Sequence, residues 1–328
     1  MVSPLRNALN GVKANPSLRK YTYECQDFVD YMENTESVYL EVQGVTPEGK
    51  EVSKQMPYVH RFTNIYRRGI LAKFYQLENY LKRNPQPITM ITLTTYQDSQ
   101  YSVKKIGHKV DHEQALEMLV DGFRKLRELI TNRICEGHTP DYFWILEPHE
   151  SGYPHMHLCY LEEFTEGEQE HIKSIWADKY GAGEQVDFSF RKPEDTVRSI
   201  RNYLMKYMSK GFLDSGSKYS STKMKPAQLV FNALLKKSKA RMWGCSRHLS
   251  KVMARPGQQS PMEIVWYRVV CRNRLALRPD VSKDIGSSTF WFSRGKAMLA
   301  EFKSMLALKQ RHIHTVAWKL QDKPSGVG

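Results

Sequence analysis

Two runs with a turn between them decide the fold of this 328-residue chain: Tyr142-Phe143-Trp144-Ile145-Leu146-Glu147 and His155-Met156-His157-Leu158. Aromatic and β-branched residues dominate the first, the composition of a strand. Pro148 to Pro154, with Ser151-Gly152 inside, is a turn too short for a crossover. The second run, read through to Phe164, therefore returns as an antiparallel strand. Side chains at i and i+2 share a face, so His155 and His157 project together while Met156 and Leu158 point at the core. Glu147 lies on the neighbouring strand, and a suitable register brings its carboxylate alongside the imidazoles.

Working outward, Ile88-Thr89-Met90-Ile91-Thr92-Leu93-Thr94 alternates as a half-buried strand. Asp111 with Gln114 caps a helix running to about Cys135, whose buried stripe is Leu116, Leu119, Phe123, Leu126, Ile130 and Ile134. Downstream, Thr165 and Glu168 form a capping box for a helix through Ile172, Ile175, Trp176 and Tyr180, which Gly181-Ala182-Gly183 stops. Val186 to Phe190 alternates again as a fourth strand. Asp195 or Thr196 then opens a helix carrying Tyr203, Lys206, Tyr207 and Lys210. This order predicts an α+β fold, a central antiparallel sheet with flanking helices, its first strand and helix crossing to the hairpin as in a split β-α-β, ferredoxin-like arrangement.

Tyr21-Thr22-Tyr23 and Ser37 to Val42 read as short strands, the latter followed by a turn at Pro47 to Gly49. Arg61 to Lys82 reads as a helix, with Ile70, Leu71, Phe74, Leu77 and Leu81 inward and a basic outer side. After Gly211 comes a polar linker from Ser215 to Lys223, a basic helix from Pro226 to Lys239, the run Arg241-Met242-Trp243-Gly244-Cys245-Ser246-Arg247, a strand from Ile264 to Val270, and a helix from Lys296 to Gln310. Four regions result: 1–86, of unassigned fold and a candidate for DNA contact; 87–213, the catalytic candidate; 214–321, a basic α/β region that binds DNA or completes the fold; and a disordered tail, 322–328.

The 49 Lys+Arg against 35 Asp+Glu give a net charge of +14, suited to a polyanionic partner. No apolar run approaches the roughly 18 residues that span a bilayer, and no apolar signal core opens the chain. The expectation is an intracellular, cytoplasmic protein with no membrane partner. Five scattered cysteines without a C-x-x-C pair argue against a disulfide framework or a thiolate zinc site.

Two imidazoles and a carboxylate, with positions open to water and a phosphate oxygen, suit a divalent cation, Mg2+ or Mn2+. His312-Ile313-His314 repeats the pattern at the end of a helical stretch, where i and i+2 diverge, and reads as structural. On the tyrosine helix, positions 203, 206, 207 and 210 share one side, while Val197, Ile200, Leu204 and Met208 form a separate apolar stripe. Burying Lys206 and Lys210 unpaired would cost several kcal/mol, on the order of 3 or more each, so this face meets a polar, anionic space. A lysine beside a phenol favours the phenolate, and a phenolate can attack a phosphodiester.

With these residues in place, the chain resembles the HUH-type rolling-circle replication initiators, specifically their two-tyrosine kind from phages, plasmids and archaeal viruses. Ile91-Thr92-Leu93-Thr94 resembles the first strand motif of that family. Pro154-His155-Met156-His157 resembles the histidine motif, and Tyr203-x-x-Lys206-Tyr207-x-x-Lys210 the doubled-tyrosine motif. The resemblance covers about residues 86 to 213. It implies a nickase that attacks single-stranded DNA at a replication origin with Tyr203 or Tyr207, assisted by Lys206 and Lys210, under a metal held by Glu147, His155 and His157. A 5′-phosphotyrosine and a priming 3′-OH would result, with host helicase and DNA polymerase as partners. Arg241 and Arg247, in a run similar to one downstream in related initiators, and Lys223 are the candidate DNA contacts. A single-strand transposase or mobilisation relaxase of the same chemistry stays open, as does a non-catalytic nucleic-acid-binding protein. Gly211 to Lys218 has serine where a phosphate-binding loop needs lysine, which excludes a fused helicase motif there.

Overall fold

The computed structural model describes residues 3–36, 38–45, 49–180, 182–183, 185–192, 224–254, 263–271 and 289–291. In chain order the elements are α1 (Pro4–Ala14), a 3-10 turn (Arg19–Tyr21), α2 (Thr22–Glu36), β1 (Val38–Val45), β2 (Glu51–Pro57), α3 (Asn64–Arg83), β3 (Ile88–Leu93), α4 (Gln100–Ile106), α5 (His112–Leu129), β4 (Tyr142–Pro148), β5 (Pro154–Tyr160), α6 (Glu166–Ser174), β6 (Val186–Arg191), α7 (Pro226–Ser238), β7 (Trp243–Cys245), α8 (Arg247–Val252), β8 (Glu263–Cys271) and β9 (Thr289–Trp291). They divide into two units, Met1–Phe28 with Arg68–Ala254, and Val29–Arg67 with Arg255–Gly328.

The first unit is built on an antiparallel sheet in the order β6-β3-β5-β4-β7. Strands β3 and β4 both run antiparallel to β5, which lies between them, so they are parallel to each other. This is the expected split β-α-β arrangement, with α5 as the crossing helix. Register places Thr92, His157 and Ile145 side by side on one face, and Ile91, Leu158 and Trp144 on the other. Phe123 of α5 covers the second face, its ring edge-on to Tyr142 at 6.3 Å and to Trp144 at 5.7 Å. Phe74 of α3 covers part of the first, 5.8 Å from Phe143 and 5.9 Å from Trp243. Strand β5 is therefore shielded on both sides, and only His155 along it is more than marginally exposed.

The capping signals hold. Asp111 accepts from the Gln114 backbone at 2.9 Å while Gln114 Oε1 takes the Asp111 N–H at 3.1 Å, and Thr165 with Glu168 does the same for α6. Both helices close on a π turn, Ile130–Ile134 and Ile175–Lys179. Helix α7 is a core element: Leu229, Val230, Leu234 and Leu235 are buried. Its lysines are closed by carboxylates, Lys236 on Asp27 at 2.5 Å and Lys237 on Glu113 at 2.8 Å.

Three readings are corrected. Tyr21-Thr22-Tyr23 is a 3-10 turn leading into α2, because burial of Cys25, Phe28, Val29 and Met32 follows a helical period that overrides the short alternation; Tyr23 is 74% exposed. The strand read to Phe164 ends at Tyr160. Helix α4, capped by Ser99 and closed by a left-handed Gly107, was not anticipated.

The second unit carries the antiparallel sheet β2-β1-β8-β9, with an irregularity between Gln43 and Gly44. His60 is buried there among the rings of Tyr31 (5.1 Å), Tyr58 (5.8 Å) and Phe62 (6.0 Å). The helix expected from Lys296 to Gln310 and the His312–His314 repeat lie outside the described residues.

Candidate active site

The hairpin of β4 and β5 sets the geometry. The His149 N–H donates to the Tyr153 carbonyl at 2.8 Å and the Gly152 N–H to the His149 carbonyl at 2.9 Å. Gly152 takes φ +89°, and a Cβ there would come within 2.9 Å of the Ala227 carbonyl oxygen, so the turn needs glycine twice over. This closure fixes Pro148 opposite Pro154 and hence Glu147 opposite His155.

On that face, Glu147 (4% exposed) and His157 (6% exposed) are joined by a 2.8 Å hydrogen bond between Oε1 and Nε2. The other ring nitrogen of His157, Nδ1, lies 3.1 Å from the Thr92 hydroxyl on β3. With Nε2–H donating to the carboxylate, a neutral ring leaves Nδ1 to accept from Thr92. The imidazole is thus held from both sides by neighbours on two strands. His155 is half-buried, and its ring stacks on that of His149 at 4.8 Å and 13°; His149 Nδ1 in turn lies 3.1 Å from Ser151 Oγ. Thr92 and His149 were not singled out in the sequence as site residues. The threonine alternation around Thr92 was the available signal, but it does not show which strand becomes its neighbour.

Glu147 and His157 therefore meet directly, and His155 flanks them. Among the described residues no three His, Cys, Asp or Glu side chains gather as they would around one cation. The residue types and the register fit a divalent ion, whereas the side-chain rotamers bring together two donors instead of three. Tyr203, Lys206, Tyr207, Lys210 and Lys223 lie outside the described residues. Arg241 is exposed just before β7, and Arg247 is exposed on α8. In the same run, Gly244 lies under the Trp144 indole, 2.7 Å from where a Cβ would be. Cys159, on the histidine face of β5, is fully enclosed, and burial pushes its thiol well above the usual range.

Residues 88–212 match the model of a family described as replication-associated protein ORF2, a segment that takes in β3 to β6 and both candidate tyrosines. Over 113 residues, 34% of this chain and 33% of the relative, the chain is 34% identical to an uncharacterized 36 kDa protein of Halobacterium salinarum. It is 24% identical over 208 residues to uncharacterized protein 1 of Halorubrum pleomorphic virus 1, covering 57% of this chain and 38% of that protein. The chain thus spans little more than a third of the length of the curated relatives it matches. No solved structure matches it. Among the described residues no helix is long and apolar enough to cross a membrane. What the chain shares with known proteins is centred on the sheet that carries Glu147 and His157, and the family matched there is one of replication-associated proteins.

Proposed function

We propose that this protein is a replication initiator that nicks and rejoins single-stranded DNA at an origin. The observation that carries the reading is the histidine–carboxylate face of β4 and β5, set within the segment matched to replication-associated proteins. On this reading Glu147, His155 and His157 hold Mg2+ or Mn2+. Directly paired strand positions have Cβ atoms about 5 Å apart, so rotation of the three side chains suffices to gather them. Bound there, the ion would offset charge on the phosphate oxygens. Thr92 keeps the His157 ring in place through Nδ1, the part that outer partners play for metal-ligating histidines.

In the proposed reaction the phenolic oxygen of Tyr203 or Tyr207 attacks phosphorus and the P–O3′ bond breaks. The phenolic proton ends on the departing 3′-oxygen, and the 5′-phosphate remains on tyrosine. Lys206 and Lys210 favour the phenolate and help neutralise the transition state. The free 3′-OH primes synthesis by a host polymerase behind a host helicase, and attack of a 3′-OH on the phosphotyrosine reseals the strand without a nucleotide cofactor.

The test is a labelled origin oligonucleotide with the protein and Mg2+ or Mn2+, resolved under denaturing conditions. A covalent protein–DNA adduct is expected, lost in Tyr203→Phe/Tyr207→Phe and without metal. Adduct in the double variant at the wild-type level would refute the reading. Binding without any adduct would make the sheet a platform for DNA only, and preference for a transposon end or a transfer origin would identify a transposase or a relaxase.

A further inference from the structure

At the far end of β4 from Glu147 the first unit holds a second feature. A cavity of about 640 Å³ is lined by Arg127 of α5, by Thr131 and Thr139 beyond it, and by Arg247, Ser250 and Lys251 of α8. Tyr142 forms part of its wall, and Arg127 donates to the Tyr142 hydroxyl at 3.3 Å. Arg247 and Lys251 are one turn apart on α8 and both exposed. Three cationic side chains from two helices thus face one space beside three aliphatic hydroxyls.

The cavity has no anion of its own. Asp141, which the lining residue Ser246 touches, is committed to Ser246 Oγ at 2.6 Å and His248 Nδ1 at 2.5 Å. Among the described residues, Arg127, Arg247 and Lys251 have no carboxylate within ion-pair distance. Elsewhere in this unit the lysines that line helices are closed, as Lys236 and Lys237 of α7 are. Like charges gathered around a concavity repel unless an external anion joins them. The volume is in the range of small-ligand sites, room for more than one phosphate group. Guanidinium and hydroxyl donors together suit phosphate oxygens.

We infer that this cavity is a binding site for the phosphodiester backbone of single-stranded DNA, separate from the nicking site. Five strand positions separate Tyr142 from Glu147, about 17 Å along β4. The site grips the strand at that distance from the reacting phosphate and sets which phosphate reaches it. Arg247 belongs to it, whereas Arg241 does not line it. The inference rests on DNA being the substrate, and not on the nicking chemistry.

The experiment is equilibrium binding of a labelled single-stranded oligonucleotide by fluorescence anisotropy across a series of salt concentrations. Each phosphate contact contributes roughly 0.7 to the slope of log affinity against log salt. Arg247→Gln/Lys251→Gln is expected to lower that slope by roughly 1.4 and affinity at about 0.1 M salt by on the order of tenfold. Arg127→Gln, from the other wall, is expected to act in the same direction. Because Arg247 and Lys251 are exposed, their double variant should keep the wild-type melting temperature, and melting curves check this. Lys104→Gln/Lys105→Gln on α4 is the control for general charge and should bind as wild type. An unchanged slope in Arg247→Gln/Lys251→Gln overturns the inference, and so does an equal loss in the α4 control. Millimolar inorganic phosphate that saturates the cavity without weakening the oligonucleotide would reassign it to a small anion. A changed slope with no covalent adduct would keep this site and remove the nicking reading, so the two fail separately.

Discussion

At the residue scale, the least exposed chemistry in the candidate site is the contact between Thr92 and His157. The hydroxyl 3.1 Å from Nδ1 costs little to remove from the fold, about 0.5–1.5 kcal/mol for one hydrogen bond. Its effect on a ligand held through Nε2 is larger, because outer partners of metal-binding histidines typically change affinity by about 10–100-fold. Thr92→Val, nearly the same size, is therefore expected to shift the Mn2+ concentration needed for half-maximal adduct formation upward within that range, with little change in melting temperature. Thr92→Ser should restore it. Equal metal dependence in Thr92→Val and wild type would leave the threonine a strand residue only. The histidine pair and Glu147 were legible as one face from residue spacing and turn length. The bond between Glu147 and His157, instead of the directly opposite His155, was not, because side-chain rotamers are chosen by packing that spacing does not reveal.

At the scale of elements, what could be read followed local signals. Asp111 with Gln114 and Thr165 with Glu168 announce their helices, and the structure forms both capping boxes. Ser99 and Gly107 bracket α4 by the same rules, but the helix between them buries only Ser102 and so shows no apolar stripe. The short strand β7 was illegible. Its three residues carry no pattern, and it exists because Gly244 can slip beneath the Trp144 indole while pairing with β4. Gly244→Ala puts a methyl where real Cβ contacts do not occur, with indole and strand backbone as the groups that must yield. The expected cost is about 1–3 kcal/mol, typical of overpacking, measurable by urea unfolding. If β7 also orients α8, the same variant should weaken oligonucleotide binding.

For the whole molecule, two units with different cores imply different responses to acid. The second unit buries His60, where Nδ1 accepts the Phe62 N–H at 3.3 Å and Nε2 faces the Thr35 hydroxyl at 3.1 Å. Burial, with Arg61 adding a like charge, pushes this imidazole down to about 3. An unfolded histidine takes up its proton near pH 6.5. Above that value the folded and unfolded chains bind the same number of protons at this site. Below it only the unfolded chain is protonated, until the folded ring follows near pH 3. Stability is then full above about pH 6.5 and falls through this window, by up to about 1.4 kcal/mol per pH unit. His60→Asn retains an acceptor for Phe62 and removes the titration. Urea unfolding at pH 7.5 and 5 should show a smaller acid loss in the variant, and an identical loss would place the acid sensitivity elsewhere. None of this was visible in the sequence, because β1 and β8, where Tyr39 meets Val270, come from opposite ends of the chain.

That separation contrasts with the hairpin that carries Glu147 and His157. The entropy lost in joining two points of a chain grows by only about 0.6 kcal/mol for each doubling of the loop between them, yet it always favours the shorter loop. Glu147 and His157 close a loop of ten residues, whereas Tyr39 and Val270 must find one another across most of the molecule. The carboxylate–imidazole contact thus belongs to the class of events that a folding chain completes on the microsecond scale of hairpins. The sheet of the second unit waits for long-range pairing.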